Sequence, residues 1–393
     1  NYINCAIDYK TSALAFENDG DFSKFGTIGD FIGGIVGTLF SLSGVFLLYL
    51  TLKEQRENFY KERLENNYFE LIKFHRENVN ELEYIYSENT ENKSTAIGRK
   101  VFKLIFDQFQ EAYIELNHFF DKTPLEKIYM AKYLKILNSN LQLTERRIEL
   151  KQYAQIDIVY TIIFFGLSRD NRRLIANMFN EKYDRDFVLC LLSYAALKPK
   201  KESKYWHTWN TINKLEDNIT IFNDVLNQRI DSNYKPKKEI NWIITGKNYH
   251  MFSPFFPDNY EKYYGGHQFR LGHYYRHLYQ SIKYIDNEEK LSYNEKRKYV
   301  KIIRGQLSNY EQIIFFLNSI SHLGRIWELE EPKFYQNLGK NDHLITKYEL
   351  IRNIPHETIV GGINIKNYYP KIDYEVFNNN ISSARKELES AYT

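Results

Sequence analysis

FIGGIVGTLFSLSGVFLLYLTL, residues Phe31–Leu52, runs for 22 residues without a charged side chain, and its reading decides the fold. As a helix it reaches about 33 Å, against a bilayer hydrocarbon core of about 30 Å. Buried helices of soluble domains seldom stay uncharged for so long. A cleaved signal peptide has a shorter apolar core and carries its basic residues in front, whereas here they follow. Lys10 and Lys24 precede the run among Asp8, Glu17, Asp19, Asp21 and Asp30; Lys53, Arg56, Lys61 and Arg63 come after it. The positive-inside rule places the C-terminal bulk in the cytoplasm and the stretch 1–30 outside. An outside N-terminus without an export signal leads us to expect a further transmembrane helix upstream of Asn1. Gly33, Gly37 and Ser41, with Gly44 near the same face, recur at a spacing that lets two helix backbones approach.

Past Leu52 the helical pattern continues without Pro or Gly. Leu64, Tyr68, Leu71, His75, Val79, Leu82 and Tyr86 alternate steps of three and four, the seam of a coiled coil or of a long bundle helix. A lone histidine in such a seam, His75, reads as a hydrogen-bonded core residue. After a polar break at Ser87–Ser94 we expect helices over Lys100–Phe120, Leu125–Gln152 and Ile156–Leu167. The last is apolar but too short to cross a bilayer, so it is a core helix. Further helices are expected within Arg172–Asn180, Phe187–Ala196 and Thr211–Ile230. KPKKESK and KPKKE, residues 198–204 and 235–239, read as exposed connections, and Ile240–Thr245 is the best β-prone run. The fold class is mainly α: a transmembrane helix continuing into a helical stalk, then a cytoplasmic multi-helix domain. The expected divisions are 1–30 (extracytoplasmic), 31–52 (transmembrane), 53–90 (stalk), 91–260 (helical body), 261–353 (C-terminal helical module) and 354–393 (tail).

Composition narrows the function classes. The chain has 393 residues, 43% hydrophobic, with 8 Pro, 18 Gly and 2 Cys, which excludes a disordered chain and a disulfide-stapled scaffold. A net charge of +3 gives no global field for a polyanion, so any nucleic-acid surface must be local. There is no Walker A loop, G-x-S-x-G elbow or Rossmann glycine fingerprint, and no cofactor is expected.

The chemistry-bearing segment is RLGHYYRHLYQSIKYID, residues 270–286. Leu271, Tyr275, Leu278, Ile282 and Ile285 make one apolar helix face. His273, Arg276, His277 and Gln280 make a polar one, with Arg270 a turn earlier. Ser292 and Glu295 form a capping box that should start a long helix ending near Gly324, whose polar face carries Arg304, Ser308 and Glu311. A shorter helix should follow, capped by Asp342, bearing Leu344, Ile345, Tyr348 and Ile351 on one side and ended by Pro355. Arg270, His273, Arg276, His277, Arg304 and Glu311 are expected to gather between two antiparallel helices.

GDFIGGIVGTLFSLSGVFLLYLTLKEQRENF and LGHYYRHLYQSIKYID, followed by YVKIIRGQLSNYEQIIFFLNSIS and LITKYELIRNI, resemble the abortive phage-infection family of the AbiC type, over roughly 26–86 and 264–353. The resemblance implies a bacterial inner-membrane antiphage protein with two N-terminal transmembrane helices and a cytoplasmic helical domain. It describes a phenotype rather than a reaction, and three readings of the polar cluster remain. In the first, Arg270 and His277, with six residues between them, act as a metal-independent ribonuclease of the HEPN kind, the histidine as acid or base and the arginine on the scissile phosphate. Leu271 departs from the polar residue usual after that arginine. The second uses His273 and His277, at i and i+4, as zinc ligands, but no third ligand is evident and no metal is expected. In the third, His273, Arg276, Arg304 and Glu311 belong to a binding or structural cluster for RNA, a nucleotide or a phage protein. Between Lys262 and Arg304 ten Lys/Arg face four Asp/Glu among many tyrosines, a mixture that suits phosphate attraction and base stacking. The expected partners are the lipid membrane and further copies of the chain, with RNA or a phage protein as ligand.

Overall fold

A computed structural model describes residues 19–87, 93–142, 146–216, 218–222, 224, 260–328 and 343–375. The expected strand Ile240–Thr245, the lysine run 235–239, the Asp342 cap and a short terminal helix at Ser382–Ala391 lie outside them. The chain forms two compact units, one up to Glu70 and one from Leu71.

The first unit is helix. α1 runs from Asp19 to Asn80 without a break, its C-terminal turns belonging to the second unit. Every described side chain from Gly26 to Phe59 is exposed, including Phe31, Leu39, Phe40, Val45 and Leu48. By length and composition α1 is able to cross a membrane.

The second unit is built around three helices, α2 (Lys100–Lys122), α5 (Leu150–Phe165) and α11 (Asn309–Ile320), which pack against one another. α2 is amphipathic: Val101, Phe102, Ile105, Phe106, Phe109, Ala112, Tyr113, Leu116 and Phe120 recur at helical spacing and are buried. α5 is buried all round from Tyr153 onward, and α11 from Glu311 onward. Such a core must neutralise any charge it contains. Asp157, in the middle of α5, does so through the Arg325 guanidinium at 2.5 Å, the Tyr183 hydroxyl at 2.7 Å and the His322 backbone N–H at 2.6 Å. Tyr133 accepts a further hydrogen bond from Arg325.

Between α2 and α5 lie α3 (Leu125–Ile128) and α4 (Ala131–Gln142); α6 (Arg169–Met178), α7 (Arg185–Ala195) and α8 (Trp206–Asn213) follow α5. The single helix expected over Leu125–Gln152 is therefore three pieces. On either side of the polar break, β1 (Glu83–Ser87) pairs antiparallel with β2 (Lys93–Ile97), in register Tyr84 opposite Ala96. A second small pair joins β3 (Thr358–Ile359) to β4 (Ile363–Asn364).

α9 (Gln268–Asp286) is followed by two helices rather than the long one expected from Ser292 to Gly324. α10 (Tyr293–Arg304) starts at the Ser292/Glu295 capping box, and α11 starts at a second box in which Ser308 caps the Glu311 amide and Glu311 returns to the Ser308 amide. Gly305 lies in the turn between them. The final expected helix is short, α12 (Leu344–Tyr348), and ends at Glu349 in the left-handed conformation, six residues ahead of Pro355.

From Leu71 onward the predicted seam is a packing face of the second unit. His75, Val79 and Leu82 are buried there, and the His75 ring lies 5.0 Å from that of Tyr274 in α9. KPKKESK is not a simple solvated connection either. The Lys198 ammonium is buried, donates to Glu111 at 2.7 Å and Glu115 at 2.8 Å, and lies 4.1 Å from the centre of the Tyr263 ring.

Candidate functional site

The site begins with a close approach of two backbones. α5 ends at Gly166 with φ +76°, and Gly266 adopts φ +88°. A Cβ on Gly166 would lie 2.5 Å from the Gly265 carbonyl carbon, and one on Gly266 would lie 2.4 Å from the Phe165 oxygen. Only glycine permits both the conformation and the contact. Two hydrogen bonds then lock the crossing, from the Leu167 N–H to the Tyr264 oxygen at 3.0 Å and from the His267 N–H to the Phe164 oxygen at 2.7 Å. The start of α9 is thereby fixed against the core.

His267, immediately before α9, is buried with its Nε2 2.9 Å from the Gln108 Oε1 and its Nδ1 3.4 Å from an Arg270 nitrogen. Burial, reinforced by the Arg270 charge, pushes its pKa down to about 3. The imidazole is therefore neutral; the two partners select a tautomer in which Nε2–H donates to Gln108 and Nδ1 accepts from Arg270. Arg270 also donates from Nε to the Glu83 carbonyl at 2.6 Å and lies over the rings of Tyr84 and Phe269, at 4.8 and 4.2 Å. Desolvation lowers its pKa, but a guanidinium stays charged at physiological pH.

Around this anchor opens a cleft of about 600 Å³ between β1, the 263–266 loop and α9. Lys200, Arg270 and His273 bring cationic or protonatable groups to it, and Tyr84, Tyr263 and Phe269 bring rings. Phe269 is 69% exposed, an aromatic ring held in water at the rim. A groove of about 400 Å³ adjoins it across Tyr84, Lys200 and Tyr263 and carries Asp107 and Glu111.

Of the six residues expected to gather, Arg270 and His273 share this cleft. Arg276 is exposed on α9. His277 is half-buried, and its Nδ1 is buried without a hydrogen-bond partner. It is close enough to His75 to add to the lowering of that imidazole's pKa. Arg304 is engaged elsewhere: it donates to the Tyr348 and Glu349 carbonyls at 3.3 and 3.4 Å. With Arg297 and Arg352 it surrounds the Glu349 carboxylate. Glu311 faces Arg99 at 3.5 Å and lines a different cavity with His75. The helix break at Gly305 separates what one long helix would have aligned. Among the described residues no third carboxylate, thiol or imidazole joins His273 and His277 in a group that could hold a metal ion.

Lys200, Tyr84, Tyr263 and His267 were not singled out from the sequence. The available signal was Gly265-Gly266 directly before His267 and the first turn of α9, a mark of close backbone approach beside a polar helix start.

Residues 266–359 match the family described as "Putative phage abortive infection protein". The match begins at the glycine that fixes the cleft and spans α9 to α12. No curated protein and no solved structure matches the chain.

Proposed function

We propose that this chain is a membrane-attached abortive-infection protein whose body binds single-stranded RNA in the cleft of Lys200, Arg270 and His273. The family match over 266–359 supports the antiphage role. Attachment is supported by the exposed apolar face of α1, which in water would be an interaction or aggregation surface of unusual length. The basic residues after Leu52 favour a cytoplasmic body. Gly33 and Gly37 have no neighbouring atom within 4 Å where a Cβ would stand, which leaves that face open to a second copy in the bilayer.

The observation that carries the ligand is the pairing of cations with an exposed ring. Lys200 and Arg270 attract phosphates, and Phe269 offers a ring on which a base stacks, a sequence-tolerant contribution of about 1–3 kcal/mol per base. Arg270 is held by Glu83 and His267 before any ligand arrives, so little ordering entropy is lost on binding.

Ultraviolet cross-linking of a short uridine-rich RNA to the full chain in mild detergent tests this. Wild type should cross-link in a salt-sensitive way, and Lys200→Ala or Phe269→Ala should each reduce the yield several-fold without changing thermal melting. Equal yields for all three proteins would remove the cleft as the RNA site. Cleavage of the RNA, abolished by His277→Ala, would replace binding by the ribonuclease reading of Arg270 and His277.

A further inference from the structure

The cleft and the groove beside it share one wall, made by Tyr84, Ile85, Lys200 and Tyr263. Tyr84 is also the end of a chain of hydrogen bonds whose direction is fixed by its first member. An arginine side chain has only donors, so the Arg270 guanidinium, 3.4 Å from the His267 Nδ1, obliges that nitrogen to accept. The neutral imidazole then carries its proton on Nε2, which donates to the Gln108 Oε1 at 2.9 Å. The Gln108 amide is thereby oriented with its Nε2 toward the Tyr84 hydroxyl, 2.5 Å away, and donates to it. Tyr84 accepts from Gln108 and has no acceptor for its own O–H among the described residues. Burial holds the phenol above its ordinary pKa, so the proton stays on the oxygen at physiological pH. The chain is rigid at its root, because His267 is buried and its N–H is tied to the Phe164 oxygen at the glycine crossing. It is rigid at its end as well: the Tyr84 ring lies edge-on to the His267 ring at 4.9 Å and 4.8 Å from the Arg270 guanidinium.

We propose, resting on the RNA reading of the cleft, that the Tyr84 hydroxyl is a directed donor to a non-bridging phosphate oxygen of the RNA backbone, at the linkage that crosses from the cleft into the groove. A chain of the opposite sense would end in an acceptor and repel phosphate, and Arg270 rules that sense out. A donor without an acceptor of its own calls for an oxygen, and the surrounding charges decide which kind. Arg270 and Lys200 bear on the hydroxyl more strongly than Glu202 does, so an anionic oxygen is favoured there over a neutral base carbonyl. The groove beyond the wall carries Asp107, Glu111 and Glu202 against Lys200 and Lys201. It therefore disfavours a second phosphate and suits a nucleoside, whose hydroxyl and amino groups donate to carboxylates. Because Gln108 and His267 act through Tyr84 and Arg270, they are positioning residues.

Polarity supplies the test. Tyr84→Phe removes the donor alone and should weaken binding of a short uridine-rich RNA to the full chain in mild detergent about tenfold, with thermal melting unchanged. A neutral hydroxyl releases no counterion, so the slope of log affinity against log salt should keep its wild-type value, whereas Lys200→Ala should reduce it by about 0.7. Gln108→Glu keeps both neighbours bonded but leaves only acceptors between them, which turns the Tyr84 O–H inward. It should weaken binding as Tyr84→Phe does, and should do so less in the Tyr84→Phe background than in the wild type. With methylphosphonate placed at one linkage of the RNA at a time, a single position should exist at which Tyr84→Phe no longer matters. Wild-type affinity in Tyr84→Phe with Lys200→Ala impaired would overturn the directed donor while leaving the cleft as the RNA site. No saturable binding by the wild type would remove both. Equal effects of Gln108→Glu in the two backgrounds would overturn the relay, and an equal Tyr84→Phe penalty at every substituted linkage would overturn phosphate as the acceptor.

Discussion

Phe31–Leu52 and Ile156–Leu167 are both long apolar helical runs, yet every side chain of the first is exposed and every one of the second is buried. The second is the shorter and carries a charge at its heart, Asp157, which Arg325, Tyr183 and the His322 amide neutralise. The first has no charge, and among the described residues nothing covers it. A core helix tolerates an ion because the fold brings a counter-ion to it, whereas a helix destined for lipid has no such supply and must omit the charge from the start. The absence of charge, more than hydropathy alone, distinguishes the two.

The largest expected effect breaks the core side of this contrast. Asp157→Ala leaves the Arg325 guanidinium buried without its partner and should cost about 3–5 kcal/mol in chemical denaturation, whereas Asp157→Leu combined with Arg325→Met should cost far less. Placing a charge in the other run, as in Phe40→Asp, should oppose membrane insertion by about 2.5–3.5 kcal/mol and move protein to the soluble fraction. Melting of the body should be unchanged.

Acid sharpens the same contrast, because the buried unit holds neutral histidines and the exposed run holds none. Burial, then His277 and Arg99, pushes the His75 pKa down to about 4. Unfolded, the ring titrates near 6.5, so above that pH the group contributes nothing. As pH falls from 6.5 toward 4 the unfolded chain takes up the proton first and stability drops, by about 2 kcal/mol at pH 5. Tyr274 and Glu311 face the same region, and Glu311, whose pKa burial raises, works in the opposite direction. His75→Phe should flatten the fall between pH 6.5 and 5 in urea titrations.

The smallest effect concerns the end of the core run. Gly166→Ala should destabilise by about 1–3 kcal/mol, since the new Cβ meets Gly265 at a positive φ, and should reduce RNA cross-linking because the loop carrying Tyr263 is displaced. An unchanged cross-link would separate the cleft from the core crossing.

The elements legible in the sequence were those whose cause is local. α1, α2 and α5 follow from periodicity or uniform apolarity, and the Ser292 capping box from four residues. The break before α11 was legible too, because Ser308 and Glu311 repeat the same box; reading them as a polar face concealed it. Lys198 was not legible, because nothing near it in the sequence indicates that Glu111 and Glu115, more than eighty residues away, will meet it in the core. The same holds for the site. Arg270 and His273 stand out on their helix, but Lys200 and Tyr84 reach the cleft through long-range packing. Arg304 was drawn instead to Glu349, whose left-handed turn no pattern in the sequence announces.

Phage plating efficiency tests most directly the proposal that a membrane-attached helix and a ligand cleft act together in phage defence. On cells carrying the wild type, plating should fall. It should return to the level of unprotected cells with Lys200→Ala/Phe269→Ala and with Phe40→Asp, provided blots show equal protein and melting shows a folded body. Protection retained by both variants under those conditions would contradict it.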